Sequence, residues 1–231
     1  MEDDPDYEEQ SKQLIKEELL QMNDFELHLL CTEKTVLRSF RLTKEQLFES
    51  SGKLICLKEM INELICKKHR ILLFSQMTKV MSIIQYYLEE AKIKYLRLDG
   101  NTPVEERQEL IDKYNEDTTI SIFLLSTKAG GVGINLYTAD TVIFYDLSYN
   151  YQVDKQAEDR CHRINNKNNE VNVIKILTED SVEEKIFKLA KEKRDLSDFI
   201  LEEGNFDSKN YNKAKSDTLL NLLKKMWQDI K

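Results

Sequence analysis

From Arg70 onward, short apolar runs alternate with segments whose apolar residues recur at helical spacing. The runs begin near Ile71, Tyr95, Ile120, Thr141 and Val171. Runs of this length are typical of buried strands and are too short to form helices by themselves. Strands that alternate with helices favour a parallel sheet covered on both faces, because each parallel pair needs a crossover connection. The sequence therefore predicts an α/β domain.

Helical segments precede and follow this alternating region. Residues 14–22, 25–30 and 54–65 carry apolar residues at helical spacing, and Asn23 offers an N-cap between the first two segments. A long helix is expected from about Ser181 to Ile200, and a last one carries the stripe from Leu219 to Ile230. We expect three parts: an acidic, helical segment at 1–50, the α/β lobe at 51–180, and C-terminal helices at 181–231.

Composition excludes several classes of protein. The chain has 231 residues, of which 41% are hydrophobic, and this share is too high for a disordered chain. No apolar run is long enough to span a membrane, and the acidic N-terminus is unlike a secretory signal. The net charge of -8 argues against a simple basic nucleic-acid binder. The four cysteines form no CxxC pair, so we expect no zinc site and a reducing compartment.

Small and polar residues follow each predicted strand. In open parallel sheets, ligands bind at the carboxyl ends of the strands, so these residues are candidates for a binding edge. They are Ser75 and Gln76, Asp99 and Gly100, Ser126 to Lys128, and Asp146.

A glycine-rich segment after the third strand contains Gly131 and Gly133. It is not a Walker loop, because the Gly-Lys-Ser/Thr string is absent, and it is not a dinucleotide fingerprint, because Leu136 stands where the third glycine belongs. These glycines allow close backbone approach to a ligand. A tight turn between a strand and a helix is the alternative interpretation.

The predicted helix at Gln152–Ile164 holds two arginines and an amide on one face. Gln156, Arg160 and Arg163 are spaced i, i+4 and i+7. Guanidinium groups suit a phosphoryl-transfer transition state, whose charge spreads over the equatorial oxygens. A solvated face in which nearby carboxylates pair the arginines is the alternative, and spacing alone does not decide between the two.

Four stretches together resemble the second RecA-like lobe of the Swi/Snf-type chromatin-remodelling ATPases, within helicase superfamily two. They are ILLFSQMTKVMSII, YLRLDGNTPVEERQELIDKYN, IFLLSTKAGGVGINLYTADTVIFYD and NYQVDKQAEDRCHRI. Their order and spacing agree with the family's motifs IV to VI. The upstream stretch NDFELHLLC and the SSGKL string look most like the SMARCAD-type subfamily.

The resemblance implies a role for each matching residue. Arg160 and Arg163 correspond to the motif VI arginines that reach the γ-phosphate of ATP across the cleft between two lobes, and Gln156 belongs to the same motif. The cofactor side of the cleft is assigned to Gly131, Gly133 and Asn135 of motif V, with Asp99 and Gly100. Contacts to DNA phosphates are assigned to Gln76, Ser126, Thr127 and Lys128.

The resemblance also implies ATP with Mg²⁺ as cofactor, held mainly by a first lobe that these residues do not include. The implied partners are that first lobe, double-stranded DNA and nucleosomes, and the implied location is the nucleus. We expect no resident metal in this chain, no membrane partner, and no ATP hydrolysis by the chain alone.

Two departures from the family pattern lie beside the arginines. Asn165 and Asn166 replace the usual Gly-Gln, and Tyr151 replaces the usual proline. The Asn165-Asn166 departure and the missing first lobe favour an alternative, in which the lobe is a catalytically inactive scaffold that binds DNA or chromatin. A Rossmann-type enzyme is disfavoured because the sequence lacks the dinucleotide fingerprint. An RNA-helicase lobe is disfavoured because its motif VI normally has a different sequence.

Overall fold

The computed structural model describes residues 5–127, 135–148, 150, 152–155 and 171–202, with side chains from residue 12 to residue 194 within these ranges. The chain divides into two compact units, residues 1–188 and residues 189–231. The described part of the second unit is the C-terminal portion of one long helix.

The elements follow one another in the order that the sequence pattern predicts, with a sheet region between helical segments. In chain order they are α1 (Pro5–Gln21), α2 (Asp24–Glu33), a 3₁₀ helix (Thr35–Phe40), α3 (Lys44–Phe48), α4 (Gly52–Cys66), β1 (Ile71–Ser75), α5 (Thr78–Glu90), β2 (Tyr95–Leu98), α6 (Val104–Glu116), β3 (Ile122–Ser126), β4 (Thr141–Phe144), β5 (Asn172–Lys175) and α7 (Val182–Glu202). Residues 152–155 are also helical.

The five described strands form one sheet in the order β2-β3-β1-β4-β5, and every neighbouring pair is parallel. The three central strands β1, β3 and β4 are buried along their whole length. Continuous burial explains why these strands are apolar runs without polar alternation. The predicted fold class, an α/β lobe with a parallel sheet covered by helices, is confirmed.

Each face of the sheet is covered by its own helices. On one face, Phe74 stacks on Phe144 with ring centroids 5.3 Å apart, and α6 covers them through Ile111 and Tyr114. On the other face, side chains of α4 and α5 cover the sheet; they are Leu54, Leu57, Ile61, Met81, Ile84 and Leu88. The site residues at the strand ends therefore stand on a rigid, close-packed platform.

The N-terminal helices add a further layer over α5. Asn23 caps α2 as predicted, because its side chain accepts the backbone N–H of Glu26 while the Glu26 carboxylate accepts the N–H of Asn23. Phe25 and His28 of α2 contact the Tyr86 ring edge-on, with centroids 5.8 and 5.4 Å away. Aromatic packing thus attaches this layer to the lobe.

The structure adds two short elements that the apolar pattern did not predict, the 3₁₀ helix and α3. The 3₁₀ helix carries Val36 and Phe40 in exposed positions, so it lacks the buried stripe that identifies a helix from sequence. The predicted helix at residues 219–230 and most of the predicted helix at 152–164 lie outside the described residues. Among the described helices, none is long and apolar enough to cross a membrane.

His28 provides a test of how this layer is attached. Its side chain is buried, its Nε2 lies 3.1 Å from the Tyr86 hydroxyl, and its Nδ1 has no hydrogen-bond partner in the described part of the chain. Burial, reinforced by the charge of Arg41, lowers the pKa of His28 below its ordinary value. A protonated ring would leave one N–H donor buried and unpaired.

We predict that stability falls on acidification partly through His28. The unfolded chain takes up its proton first as pH drops through about 6.5, so the His28 contribution is complete above that pH and is lost below it. Urea unfolding at pH 7.5 and 5.5 should show a smaller loss for His28→Gln than for the wild-type chain. An equal loss in both proteins would contradict this explanation.

Candidate functional site at the carboxyl edge of the sheet

The register of the sheet brings the predicted site residues to one edge. Ser75 pairs with Ser126, and Leu98 pairs with Leu125, so Asp99 is level with both serines. Gln76 and Thr127 are the next residues along their chains. The structure therefore brings together the polar residues after β1, β2 and β3, as expected for the carboxyl ends of parallel strands.

Asp146 locks the end of β1 to the segment after β4. One carboxylate oxygen accepts the Ser75 hydroxyl at 2.5 Å, and the other accepts the backbone N–H of Gln76 at 2.7 Å. The Gln76 side-chain amide donates to the Leu147 carbonyl. Asp146 is buried, so these bonds provide the compensation that a buried carboxylate requires. Gln76, which the resemblance assigns to DNA contact, therefore links the end of β1 to the segment after β4.

Asp99 organises the turn between β2 and α6. Its carboxylate accepts Nε and Nη2 of Arg97 at 2.9 and 2.7 Å, and it accepts the Asn101 N–H at 2.9 Å. Burial raises the pKa of Asp99, but the bonds from Asn101 and Arg97 outweigh it and hold the pKa below its ordinary value. Asp99 is therefore an ionised, internally paired group, whereas Gly100 beside it is exposed.

Ser126 and Thr127 are both buried at the end of β3. The Thr127 hydroxyl has no hydrogen-bond partner among the residues that the structure describes. Asn135 is exposed, and its backbone carbonyl accepts the Asn115 amide at 2.9 Å. The other predicted residues of this segment, Lys128, Gly131 and Gly133, lie outside the described residues.

The segment after β4 prepares the start of the next helix. The side chain of Asn150 accepts the N–H of Gln152 at 3.1 Å, as an N-cap does. The buried carboxylate of Asp154 accepts the N–H of Ser148 at 3.2 Å, which ties the first helical turn to the strand end. Gln156, Arg160 and Arg163 follow in sequence and lie outside the described residues.

A half-buried ion pair beside this edge was missed by sequence reasoning. Lys53 donates to Glu183 at 2.5 Å and to the Tyr145 carbonyl at 2.7 Å, and it lies 5.1 Å from the Tyr145 ring centroid. Glu183 also accepts the Thr178 N–H at 2.8 Å. Burial raises the pKa of Glu183, but Lys53 and Thr178 outweigh it and lower the pKa overall. The partners are 130 residues apart, so no local pattern could have revealed the pair.

These features define the class of protein. A parallel sheet with helices on both faces and polar strand ends is an α/β lobe of the RecA-like kind. Its sequence has neither phosphate-binding loop, and the edge carboxylates Asp99 and Asp146 are engaged internally. Such an edge suits a lobe that presents groups to a ligand held elsewhere.

Comparison with known proteins agrees with this class. Residues 52–165 match the family described as the helicase conserved C-terminal domain. A solved structure, the C-terminal part of the Fun30 ATPase domain, superposes with a TM-score of 0.73 at 45% sequence identity, covering 78% of this chain and 57% of that one.

Curated relatives point to one subfamily. The ATP-dependent helicase FUN30 of Saccharomyces cerevisiae is 42% identical over 99% of this chain. The ATP-dependent helicase fft2 of Schizosaccharomyces pombe is 46% identical over 81% of it. The human SWI/SNF-related regulator of chromatin, subfamily A containing DEAD/H box 1, is 43% identical over 82% of it. The chain covers 20%, 14% and 18% of these three relatives, respectively, so it spans a fifth of their length or less.

Residues 52–165 belong to the helicase conserved C-terminal domain family, and the chain is similar to the second RecA-like lobe of the Swi/Snf-type ATPases of the Fun30 and SMARCAD type. The family resemblance in the sequence is thereby confirmed.

The Asp146 junction yields a stability prediction. Asp146→Ala leaves the buried Ser75 hydroxyl and the half-buried Gln76 N–H without this acceptor, so we expect a loss of about 2 to 3 kcal/mol in the free energy of unfolding. Ser75→Ala removes two bonds, the one donated to Asp146 and the one accepted from the Met77 N–H, and should cost about 1 to 2 kcal/mol. The control Asp112→Ala, at an exposed position of α6, should change stability by less than about 0.5 kcal/mol. Urea unfolding measures all three, and an Asp146→Ala value near the control would contradict the assignment.

Proposed function

We propose that this chain is the C-terminal motor lobe of an ATP-dependent, DNA-translocating chromatin remodeller. The observation that carries the proposal is the helicase C-terminal domain match, which includes the motif of Gln156, Arg160 and Arg163. In this function the two arginines complete an ATP site on a first lobe, and closure of the two lobes moves the DNA.

The described start of the motif VI helix supports the role of the arginines. Asn150 and Asp154 fix the first turn of this helix against the end of β4. A helix that continues from this turn carries Gln156, Arg160 and Arg163 along one face. Positioned arginines stabilise the charge of a phosphoryl-transfer transition state and are worth roughly 10³ to 10⁵ in rate.

The edge residues support a cofactor that is held mainly by the other lobe. Across the described ranges, no three His, Cys, Asp or Glu side chains converge as metal ligands, and the carboxylates of Asp99 and Asp146 are already paired. This lobe would therefore contribute cations, and not metal ligands, to a site for ATP with Mg²⁺. Arg160 and Arg163 would meet the γ-phosphate. The bound Mg²⁺ would neutralise charge on the phosphates.

The loops at the carboxyl edge are proposed to contact the backbone of double-stranded DNA. Gln76, Ser126, Thr127 and Lys128 are the residues that the family resemblance assigns to phosphates. Gly131, Gly133 and Asn135, with Asp99 and Gly100, would couple this contact to the ATP site. Nucleosomes as substrate and the nucleus as location follow from the chromatin relatives.

The alternative function is a catalytically inactive scaffold lobe that binds DNA or chromatin. Asn165 and Asn166 favour it, because they depart from the family pattern beside the arginines. We continue to assign a domain division at residues 1–50, 51–180 and 181–231, in which the middle part is the motor lobe.

The arginine role is tested in a two-lobe protein that carries this chain. Arg163→Ala should lower DNA-stimulated ATP turnover by about 10³-fold or more, while the affinity for duplex DNA changes little. The matched control is Lys113→Ala, which removes one exposed cation at the end of α6. Phosphate release and DNA anisotropy are the two measurements. Turnover that survives in Arg163→Ala overturns the motor assignment and favours the scaffold.

The division of labour between lobes predicts the behaviour of the chain alone. With duplex DNA and ATP–Mg²⁺ present, we expect phosphate release no faster than the buffer background, because this lobe supplies only part of the site. Turnover like that of the two-lobe protein would show that the chain holds a complete ATP site.

A further inference from the structure

The segment from Lys34 to Lys44 is locally basic in an acidic chain. It contains Lys34, Arg38, Arg41 and Lys44 and no acidic residue, whereas the whole chain carries a net charge of -8. Glu33 and Glu45 border it on either side. The segment consists of the 3₁₀ helix, the residues that join it to α2 and α3, and Lys44, the first residue of α3.

Among the described residues, three of these four cations are exposed and form no ion pair. Lys44 lies 2.5 Å from the Glu90 carboxylate, at the last residue of α5. Lys34, Arg38 and Arg41 are exposed, and no carboxylate in the described part of the chain forms an ion pair with them. Their positive charge is therefore available to a ligand.

Two of the three cations are held in one row. Arg38 and Arg41 are three residues apart at the end of a 3₁₀ helix, a spacing that puts them on one side at a separation of about 6 Å along the axis. The Arg41 Nε donates to the Arg38 carbonyl at 3.3 Å, which restrains the Arg41 side chain.

The row lies over the helical layer and not at the carboxyl edge of the sheet. The Lys44–Glu90 ion pair, 2.5 Å long, places the C-terminal end of this segment beside the last residue of α5. Glu90 lies more than three helical turns beyond Thr78, where α5 leaves the edge. This surface is thus separate from the edge residues described above.

We infer that Lys34, Arg38 and Arg41 form a second phosphate-binding surface, which contacts the backbone of duplex DNA away from the motor cleft. Each strand of a duplex presents a regular row of phosphates along its backbone, so arginines about 6 Å apart can bind neighbouring phosphates of one strand. Guanidinium groups bind phosphates in a bidentate manner, and such contacts carry no sequence information. The inference rests on the proposed function only for the identity of the polyanion.

An acidic polypeptide is the competing ligand, since Val36 and Phe40 beside the row are 89% and 73% exposed and offer apolar contacts. The regular spacing of the arginines favours the DNA backbone. The experiment includes poly-L-glutamate as a probe to separate the two ligands.

The test measures binding of the whole chain to a fluorescently labelled 30-base-pair duplex across a salt series. Arg38→Gln with Arg41→Gln should weaken binding about 5- to 20-fold at low salt and reduce the slope of log K against log salt by about 2, because two phosphate contacts are lost. Arg38→Lys with Arg41→Lys keeps both charges and should restore most of the slope. Circular dichroism checks that each variant is folded.

The matched control removes two exposed cations that are also three residues apart, Lys185 and Lys188 of α7. They flank Ile186, which packs on the opposite face of the sheet from α2. Lys185→Gln with Lys188→Gln should leave the slope unchanged. An unchanged slope in the double arginine variant, or no salt-dependent binding by the wild-type chain, overturns the inference. Loss of poly-L-glutamate binding with unchanged DNA binding overturns it in favour of an acidic polypeptide.

This result is independent of the motor assignment. Loss of ATP turnover in Arg163→Ala tests the cleft, and the salt slope of the 3₁₀-helix variants tests the second surface. Either can fail while the other holds, so the two proposals are distinguishable.

Discussion

The architecture depends on how the carboxyl ends of β1 and β4 are joined. Asp146 is buried, and its carboxylate accepts the buried Ser75 hydroxyl and the half-buried Gln76 N–H. A buried carboxylate without hydrogen-bond partners would lower the stability of the fold. The two hydrogen bonds offset this desolvation cost and fix the positions of the two strand ends. The loops that leave these strands therefore start from fixed positions.

The same principle governs the neighbouring loops. Asp99 is committed to Arg97 and to its own turn, and Asp154 ties the helical turn at residues 152–155 to Ser148. Lys53 and Glu183 attach α4 and α7 to the Tyr145 carbonyl beside this edge. The acidic groups at the edge thus build the platform, and the groups proposed to meet phosphates are cations, hydroxyls and backbone amides. This division suits a ligand that carries negative charge and arrives with its own metal ion.

Much of the fold was accessible from the sequence, because it is encoded in local patterns. Continuous apolar runs at β1, β3 and β4 indicate strands buried on both faces, and the helical spacing between them indicates crossovers. The Asn23 cap of α2 was predicted for a similar reason, since the capping side chain and its backbone partner are close in sequence.

The contacts that shape the site were not accessible in the same way. Asp146 and Ser75 are 71 residues apart, and Lys53 and Glu183 are 130 apart, so only the folded chain shows that they meet. The 3₁₀ helix escaped prediction because its apolar side chains Val36 and Phe40 face solvent. The roles of Gln156, Arg160 and Arg163 rest on the family motif and stay predictions.

A structure of the two-lobe protein with duplex DNA and a transition-state analogue of ATP tests the central claim most directly. The account predicts that the guanidinium groups of Arg160 and Arg163 lie within about 2.7 to 3.2 Å of the oxygens of the γ-phosphate mimic. Arginines paired with carboxylates of their own lobe and turned away from the nucleotide would contradict it.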